Sequence, residues 1–361
     1  MEKSRSGRIL LIKTSSMGDI IHTLPAVSDL KRYRPELALD WVVEEPFAEI
    51  PAWHSHVDRI IPIALRRWRK TPWQTYKKGE VGRFITHLRR SHYSAIIDAQ
   101  SLIKSAVLAR LARGDGCYGP DQSWARERLA VSLYDHPVPS GHCQPVIRRT
   151  RQLFAGALGY PLPDTPPDFG LDKGPPPLTL ANTTDSVLSY LGRPFCLFLH
   201  GTAWASKMWP ESYWMELARV VTEKSGWKVY LPWGSEAERH RAMRMAKAVG
   251  EKVEVLPFMT IGGLAGLISQ ARGVVGLDSG FAHLAAAMGV PCVTLFGATN
   301  PAYSGVPGLQ QRFLQTQFPC SPCMKRRCQL KPPYSPDPPC FATVGPEQVW
   351  QTLRELLQLN A

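Results

Sequence analysis

Apolar residues in this chain fall into short unbroken runs separated by longer stretches in which apolar and polar positions alternate at helical spacing. The first run, residues 9–12, lies between Arg8 and Lys13. Four consecutive apolar residues of this kind predict a strand buried on both faces of a parallel sheet. A turn of small residues follows, Thr14-Ser15-Ser16-Met17-Gly18, and from Asp19 the residues IIHTLPAVSDL read as one helix. Further strands are predicted at 39–43, 60–63 and 94–98, with helices over 78–90 and 98–112. Residues 161–177, PLPDTPPDFGLDKGPPP, are too rich in Pro and Gly for a regular element and mark a linker. A second series then begins, with strands at 195–200, 227–231, 252–256 and 273–277, and a last strand at 291–296. Helices are expected at 211–223, through Val249, at 261–270, from Ser279-Gly280, and over 346–359.

Alternating strands and helices in two series predict an α/β protein of two domains, 1–172 and 173–345. The final helix, 346–361, is free to pack back on the first domain. A length of 361 residues suits two cores of ordinary size. No window approaches the roughly 20 apolar residues that span a bilayer. The run at 9–12 is too short for the apolar region of a signal peptide, so a cytoplasmic location is expected.

The net charge of +13 points to anionic partners: nucleic acid, an anionic membrane surface or a phosphorylated substrate. It is locally dense at Arg66-Arg67-Trp68-Arg69-Lys70, Lys77-Lys78, Arg89-Arg90 and Lys325-Arg326-Arg327, each of which also reads as a solvated face. Cys117, Cys143, Cys196 and Cys292 are scattered and read as small apolar residues. Cys320, Cys323, Cys328 and Cys340 follow a spacing that either holds a metal such as zinc or leaves a reduced, proline-stiffened loop.

Three loops at predicted strand ends carry chemistry. Asp19 follows the first strand, where it is either a ligand-facing carboxylate or a helix cap. Lys207, in HGTAWASKMWP, follows the first strand of the second domain and offers a cation to a diphosphate. Asp278-Ser279-Gly280-Phe281-Ala282-His283 passes from strand to helix through small residues that leave amides open to a phosphate, with His283 on the same helix face as Asp278. The first turn lacks G-x-G-x-x-G, which argues against a dinucleotide-binding dehydrogenase.

Taken in order, KTSSMGDIIHTLPA, DWVVEE, RRWRK, DAQSLIKSA, KMWP, LPWG and LDSGFAHL resemble the ADP-heptose:lipopolysaccharide heptosyltransferases, glycosyltransferase family 9, over nearly the whole chain. The resemblance is nearest to members that add the first heptose to Kdo. The Cys-rich segment is closer to members that add the second heptose, and Ala203 offers no hydroxyl beside Thr202. The resemblance implies a GT-B fold of two Rossmann-like domains with parallel sheets facing a cleft. The acceptor, Kdo2-lipid A, would bind the N-terminal domain, and the donor, ADP-L-glycero-β-D-manno-heptose, the C-terminal one. Transfer would be an inverting displacement requiring no metal or other cofactor. Asp19 is then the general base and Lys207 stabilises the leaving diphosphate. Thr202, Met259, Asp278, Ser279, Gly280 and His283 bind the nucleotide sugar. Glu238 matches the ribose contact, with Glu236 an alternative. Ser15, Ser16, Gly18, Arg66, Arg67, Arg69, Lys70 and Arg126 meet the acceptor. The family also implies a monomer that binds no nucleic acid and sits peripherally on the anionic cytoplasmic face of the inner membrane. A reading from another class is a basic, non-catalytic Rossmann-like protein that docks nucleic acid or membrane.

Overall fold

The computed structural model describes residues 7–141, 144–178, 188, 192–330 and 337–358. Cys143 lies outside them. The chain divides into a first unit through Gly174 and a second from Pro175, two residues beyond the boundary expected from composition.

The first unit is a six-stranded parallel sheet of β1 (Arg8–Ile12), β2 (Ala38–Glu44), β3 (Arg59–Ile63), β4 (Ala95–Asp98), β5 (Cys117–Pro120) and β6 (His136–Val138), in the order 3-2-1-4-5-6. The strand order reverses direction between β1 and β4. That makes their carboxyl ends the place where such a sheet receives a ligand. The second unit repeats the plan with β7 (Phe195–Leu199), β8 (Lys228–Leu231), β9 (Val253–Val255), β10 (Gly273–Leu277), β11 (Cys292–Phe296) and β12 (Gln311–Gln315), in the order β9-β8-β7-β10-β11-β12. Its reversal falls between β7 and β10. The central strands β1, β7, β10 and β11 are buried along nearly their whole length, as their unbroken apolar runs predict.

The structure departs from the sequence expectations at five places. The helix expected from Asp19 is two helices, α1 (Met17–Ile21) and α2 (Leu24–Tyr33). Pro25 has no N–H to donate and its ring would meet the carbonyl of Ile21, so the chain breaks at His22-Thr23. The helix expected over 98–112 begins later, as α3 (Ile103–Leu111), because the Asp98 carboxylate accepts the N–H groups of Gln100 and Ser101. β5 and β6 were not foreseen. The strand at 291–296 is not the last, since β12 follows it. The final helix, Pro346–Leu356, packs on the second unit's own helix Glu211–Lys224, with Val349, Trp350 and Leu353 in that unit's core. Its apolar face is therefore spent within the second unit.

No helix among the described residues is long and apolar enough to cross a membrane. Cys117, Cys196 and Cys292 are buried, as small apolar residues would be. Burial pushes each of their thiols up to about 12.

Candidate active site

On the first unit the site grows from the register of β1 against β4. Ile12 stands opposite Asp98, so the residues that follow each strand meet. The Lys13 ammonium donates to the carbonyl of Ala99 at 2.7 Å. The side-chain oxygen of Gln100 accepts the N–H groups of Thr14 and Ser15, both at 3.1 Å. Asp98 anchors this second loop, accepting the hydroxyls of Ser105 and Tyr134 besides the two loop amides. A buried carboxylate that accepts four hydrogen bonds rigidifies the strand end it sits on.

Asp19 lies on the third position of α1. Its Oδ2 accepts the backbone N–H of Ser16 at 2.9 Å and the Ser16 hydroxyl at 3.1 Å, and Arg126 reaches the same oxygen at 3.5 Å. The residue is therefore a helix cap through Oδ2, while its Oδ1 has no partner among the described residues. Burial acts to raise its pKa, but Lys13, the Ser16 amide and Arg126 outweigh burial and hold the carboxyl below its ordinary range. Burial in turn pulls the Lys13 ammonium down, against the opposing charge of Asp19. Ser15, Ser16 and Gly18 form the turn between β1 and Asp19, with Ser16 the most exposed of the three.

The basic tract follows β3 as the helix Leu65–Lys70. Its cations divide by partner. Arg67 bonds Glu45 at 3.1 Å and Glu80 at 2.7 Å. Trp68 donates to Glu80 and packs edge-on against Phe84, so it lies beneath the tract rather than projecting from it. Arg66 lies over the ring of Phe47 and its amide serves Glu44. Arg69 and Lys70 are exposed, with no acidic partner among the described residues, and are the cations most available to an anion.

On the second unit β7 and β10 pair so that Leu199 faces Gly276. A Cβ at Gly276 would stand 2.9 Å from that of Ala282, so glycine lets α8 (Gly280–Ala287) lie close on the sheet. Asp278, just past β10, is buried at 5 % exposure and organises the site. Its Oδ2 accepts Lys207 Nζ and Thr299 Oγ1, each at 2.6 Å, and His283 Nε2 stands 3.1 Å from Oδ1. Burial works to raise its pKa, yet His283 and Lys207 more than compensate and hold it far below the ordinary carboxylate range. Lys207 also lies over the Trp204 ring at 4.6 Å. Thr202 reaches the main-chain oxygen of Asp278 at 3.4 Å. Ser279 makes no side-chain cap at α8, so the first-turn amides are left to an anion.

Glu238 sits at the start of the helix Glu236–Val249 and accepts the N–H of Gly234 at 2.7 Å. Its Oε1 would be 2.3 Å from a Cβ at Gly201, so this carboxylate lies against the loop that carries Lys207. Glu236 is exposed and engaged with Arg239. Met259 is buried with Leu199 and Leu264, while its neighbour in sequence Phe258 is exposed and packs against Trp233. A cavity of about 490 Å³ lined by Met208, Arg241 and Arg327, among others, lies beside this loop, but none of Thr202, Lys207, Glu238 and Asp278 lines it.

Cys320, Cys323, Cys328 and Cys340 all line one small apolar pocket. No three of His, Cys, Asp and Glu among the described residues are placed to hold a metal ion. Their loop supports the loop that carries Lys207 through Ser206, whose N–H and hydroxyl donate to the carbonyls of Arg326 and Lys325.

Four residues that shape the surroundings of Asp19 on the first unit and of Asp278 on the second escaped sequence reasoning: Lys13, Asp98, Gln100 and Thr299. Lys13, Gln100 and Thr299 work through partners distant in the chain, Gln100 across 85 and 86 residues, whereas Asp98 holds its own loop and reaches Tyr134. Lys13 follows one predicted strand and Asp98 ends another, and that position was the available signal.

Two Rossmann-like units of identical strand order, one presenting a carboxylate and the other a lysine beside an open helix N-terminus, make up the GT-B architecture found among glycosyltransferases. The model of glycosyltransferase family 9 (heptosyltransferase) matches residues 81–333, and the chain belongs to that family. It is 46 % identical over 359 residues to lipopolysaccharide heptosyltransferase 1 of Pseudomonas aeruginosa, covering 97 % of this chain and 98 % of the relative. Identity to lipopolysaccharide heptosyltransferase 1 of Escherichia coli K12 is 42 % over 305 residues, covering 84 % and 92 %. The solved structure of the E. coli heptosyltransferase WaaC with ADP superposes with a TM-score of 0.79 at 37 % identity, covering 97 % of this chain and 99 % of that one.

Proposed function

We propose that this chain is a lipopolysaccharide heptosyltransferase I, transferring L-glycero-D-manno-heptose from its ADP conjugate to Kdo of Kdo2-lipid A with inversion at the anomeric carbon. End-to-end identity to relatives of that name supports the substrate class. The observation that carries the chemistry is Asp19, held ionised by Lys13 and Arg126 with one oxygen left for a ligand.

In this reading Asp19 Oδ1 accepts the hydrogen of the attacking Kdo hydroxyl. A carboxylate held below its ordinary range is a weak base, so the proton moves late, once bond formation has acidified the hydroxyl. The hydroxyl oxygen bonds to the anomeric carbon as the bond to the ADP phosphate breaks. The leaving charge falls on Lys207 and the amides of α8, which supply a fixed cation and a helix dipole without a metal. Thr202, Ser279, Gly280 and His283 line the diphosphate, Glu238 takes the ribose, and Met259 meets the adenine. Arg69 and Lys70 engage the acceptor's carboxylates and phosphates, with Arg66, Arg126, Ser15, Ser16 and Gly18 around it. Arg67 keeps the tract in place. The same surface holds the enzyme on the anionic inner leaflet, at ~1 kcal/mol per basic residue near the membrane. The enzyme acts as a monomer.

The test is Asp19→Asn, which keeps an oxygen toward the Ser16 amide and so spares the helix. Transfer should fall by at least about a thousandfold while ADP binding stays within twofold, on the usual worth of a positioned base and more. Full transfer by this variant would remove Asp19 from the role of base. The Cys-rich segment favours a second reading, addition of the second heptose. Offering Kdo2-lipid A with and without a heptose already attached separates the two.

A further inference from the structure

The helix α3 is apolar on two opposite faces, and only one of them is covered. Ser105, Ala106, Leu108 and Ala109 are buried against the sheet, whereas Ile103, Val107 and Leu111 remain 42 %, 44 % and 38 % exposed. These three are spaced at i, i+4 and i+8 and form one continuous stripe. Leu129, on the short helix Arg128–Leu133 that packs beside α3, extends the stripe and is 74 % exposed. Four large aliphatic side chains in one exposed patch are a docking surface rather than scattered surface residues.

A second group of exposed apolar residues lies on the same layer of the unit. Trp73 and Tyr76 are 75 % and 80 % exposed on the helix Pro72–Lys77, which packs on the helix Glu80–Leu88. Phe84 and Leu88 of that helix share a single core cluster with Ala106, Leu108 and Ala109 of α3 and with Ala130 and Val131 beside Leu129. Elements whose inner faces meet one core over one face of a sheet turn their outer faces to the same side.

The charge on that side is basic. Lys104 and Arg110 interrupt the stripe and Arg128 borders it, while Lys77 and Lys78 follow Tyr76. Two acids lie within this group: Asp135, which holds Arg110 through two hydrogen bonds, and Glu127, which accepts the N–H of Ile103. A second copy of the chain is a poor occupant, because a twofold pairing would set basic rim against basic rim. Aliphatic side chains, a Trp and a Tyr framed by Lys and Arg are the pattern of a surface lying in a lipid headgroup layer.

We propose that this face, the α3 stripe with Leu129 together with Trp73 and Tyr76, docks on an anionic lipid bilayer and inserts its apolar side chains among the headgroups. The proposal rests on the functional reading above, in which the acceptor is itself a lipid, and it names the side chains that bring the enzyme to it. The basic tract alone would give binding that salt abolishes; the stripe adds a component that salt leaves in place.

The test is flotation of the full chain with vesicles of phosphatidylglycerol and phosphatidylethanolamine, against vesicles of phosphatidylcholine. The variants are Val107→Ser/Leu111→Ser/Leu129→Ser and Trp73→Ala/Tyr76→Ala. Each should lower the partition coefficient on anionic vesicles by about tenfold or more, from the apolar area withdrawn. Binding left at high salt should fall in each variant and vanish when the two sets of substitutions are combined. Heptose transfer to acceptor embedded in vesicles should fall several-fold, with transfer to an O-deacylated, water-soluble acceptor within twofold of the parent. Partition of the triple variant within twofold of the parent overturns the proposal. So does a parent dimer in gel filtration that the triple variant dissociates, because the stripe would then be a contact between copies. Flotation needs neither donor nor acceptor, so it decides the docking face whether or not the chain transfers heptose.

Discussion

Replacing Asp278 by Asn tests whether one buried carboxylate organises the donor side. In the native protein its side chain is 4 % exposed and that of Lys207 14 %. It receives two hydrogen bonds of 2.6 Å, from Lys207 and Thr299, and faces His283 at 3.1 Å. Removing one charge of a buried pair costs about 3–5 kcal/mol, chiefly because the other is left uncompensated. Two features reduce that figure here. Asn keeps one acceptor oxygen for Thr299 or Lys207, worth roughly 1 kcal/mol. Lys207 also retains the Trp204 ring, worth roughly 0.5–1 kcal/mol. The expected net loss at pH 7 is about 2 kcal/mol. A chain of two units need not unfold in one step, so the readout is hydrogen exchange of peptides spanning β10, with those spanning β1 as the internal control. The pH dependence supplies a second check. The folded carboxyl lies below its unfolded value, so its stabilisation is present above that value and drains away as pH falls through the folded pKa. The difference between variant and parent should therefore shrink below pH ~4. A loss under about 1 kcal/mol, an equal loss in β1, or a difference unchanged from pH 7 to pH 3 would refute the reasoning.

Three further outcomes are expected. Lys13→Met removes the largest influence holding Asp19 down, so burial acts with less opposition and the acid limb of the kcat/KM profile should move to higher pH; a profile that does not move would exclude Lys13 from positioning the base's charge. Gly201→Ala should displace the Glu238 carboxylate, 2.3 Å from the new methyl, raising KM for the donor about tenfold with a smaller change in kcat, as steady-state kinetics would show. His54 and His200 are buried neutral, both lowered to about 4 by burial above all, and the Nδ1 of His54 accepts the N–H of His56. The unfolded chain takes up these protons first, so each unit should lose roughly 3 kcal/mol as pH falls from about 6.5 to about 4. His54→Gln should flatten that loss in the first unit alone.

At Asp19 the bond to the Ser16 amide is the helix cap that the local sequence suggested. The cap leaves the catalytic role proposed above open, because a carboxylate has two oxygens and the cap uses one.

What the chain determines by itself is whatever depends on neighbours in sequence. Buried central strands are legible because residues covered on both faces must be apolar throughout, and residues 261–270 and 273–277 emerge with the expected bounds. The open helix start at Ser279-Gly280 is legible for the same local reason. Strand β5 and the edge strands β6 and β12 are not, since CYGP and HPV are short and carry proline, and QRFLQ is half polar, as edge strands tend to be. The break at Pro25 was a local signal passed over. Only the tertiary structure decides which residues act together. Lys13 bonds Ala99 across 86 residues because β1 lies next to β4, and Lys207 reaches Asp278 across 71 residues because β7 lies next to β10. Strand order sets those meetings, and no periodicity along the chain encodes which strands become neighbours.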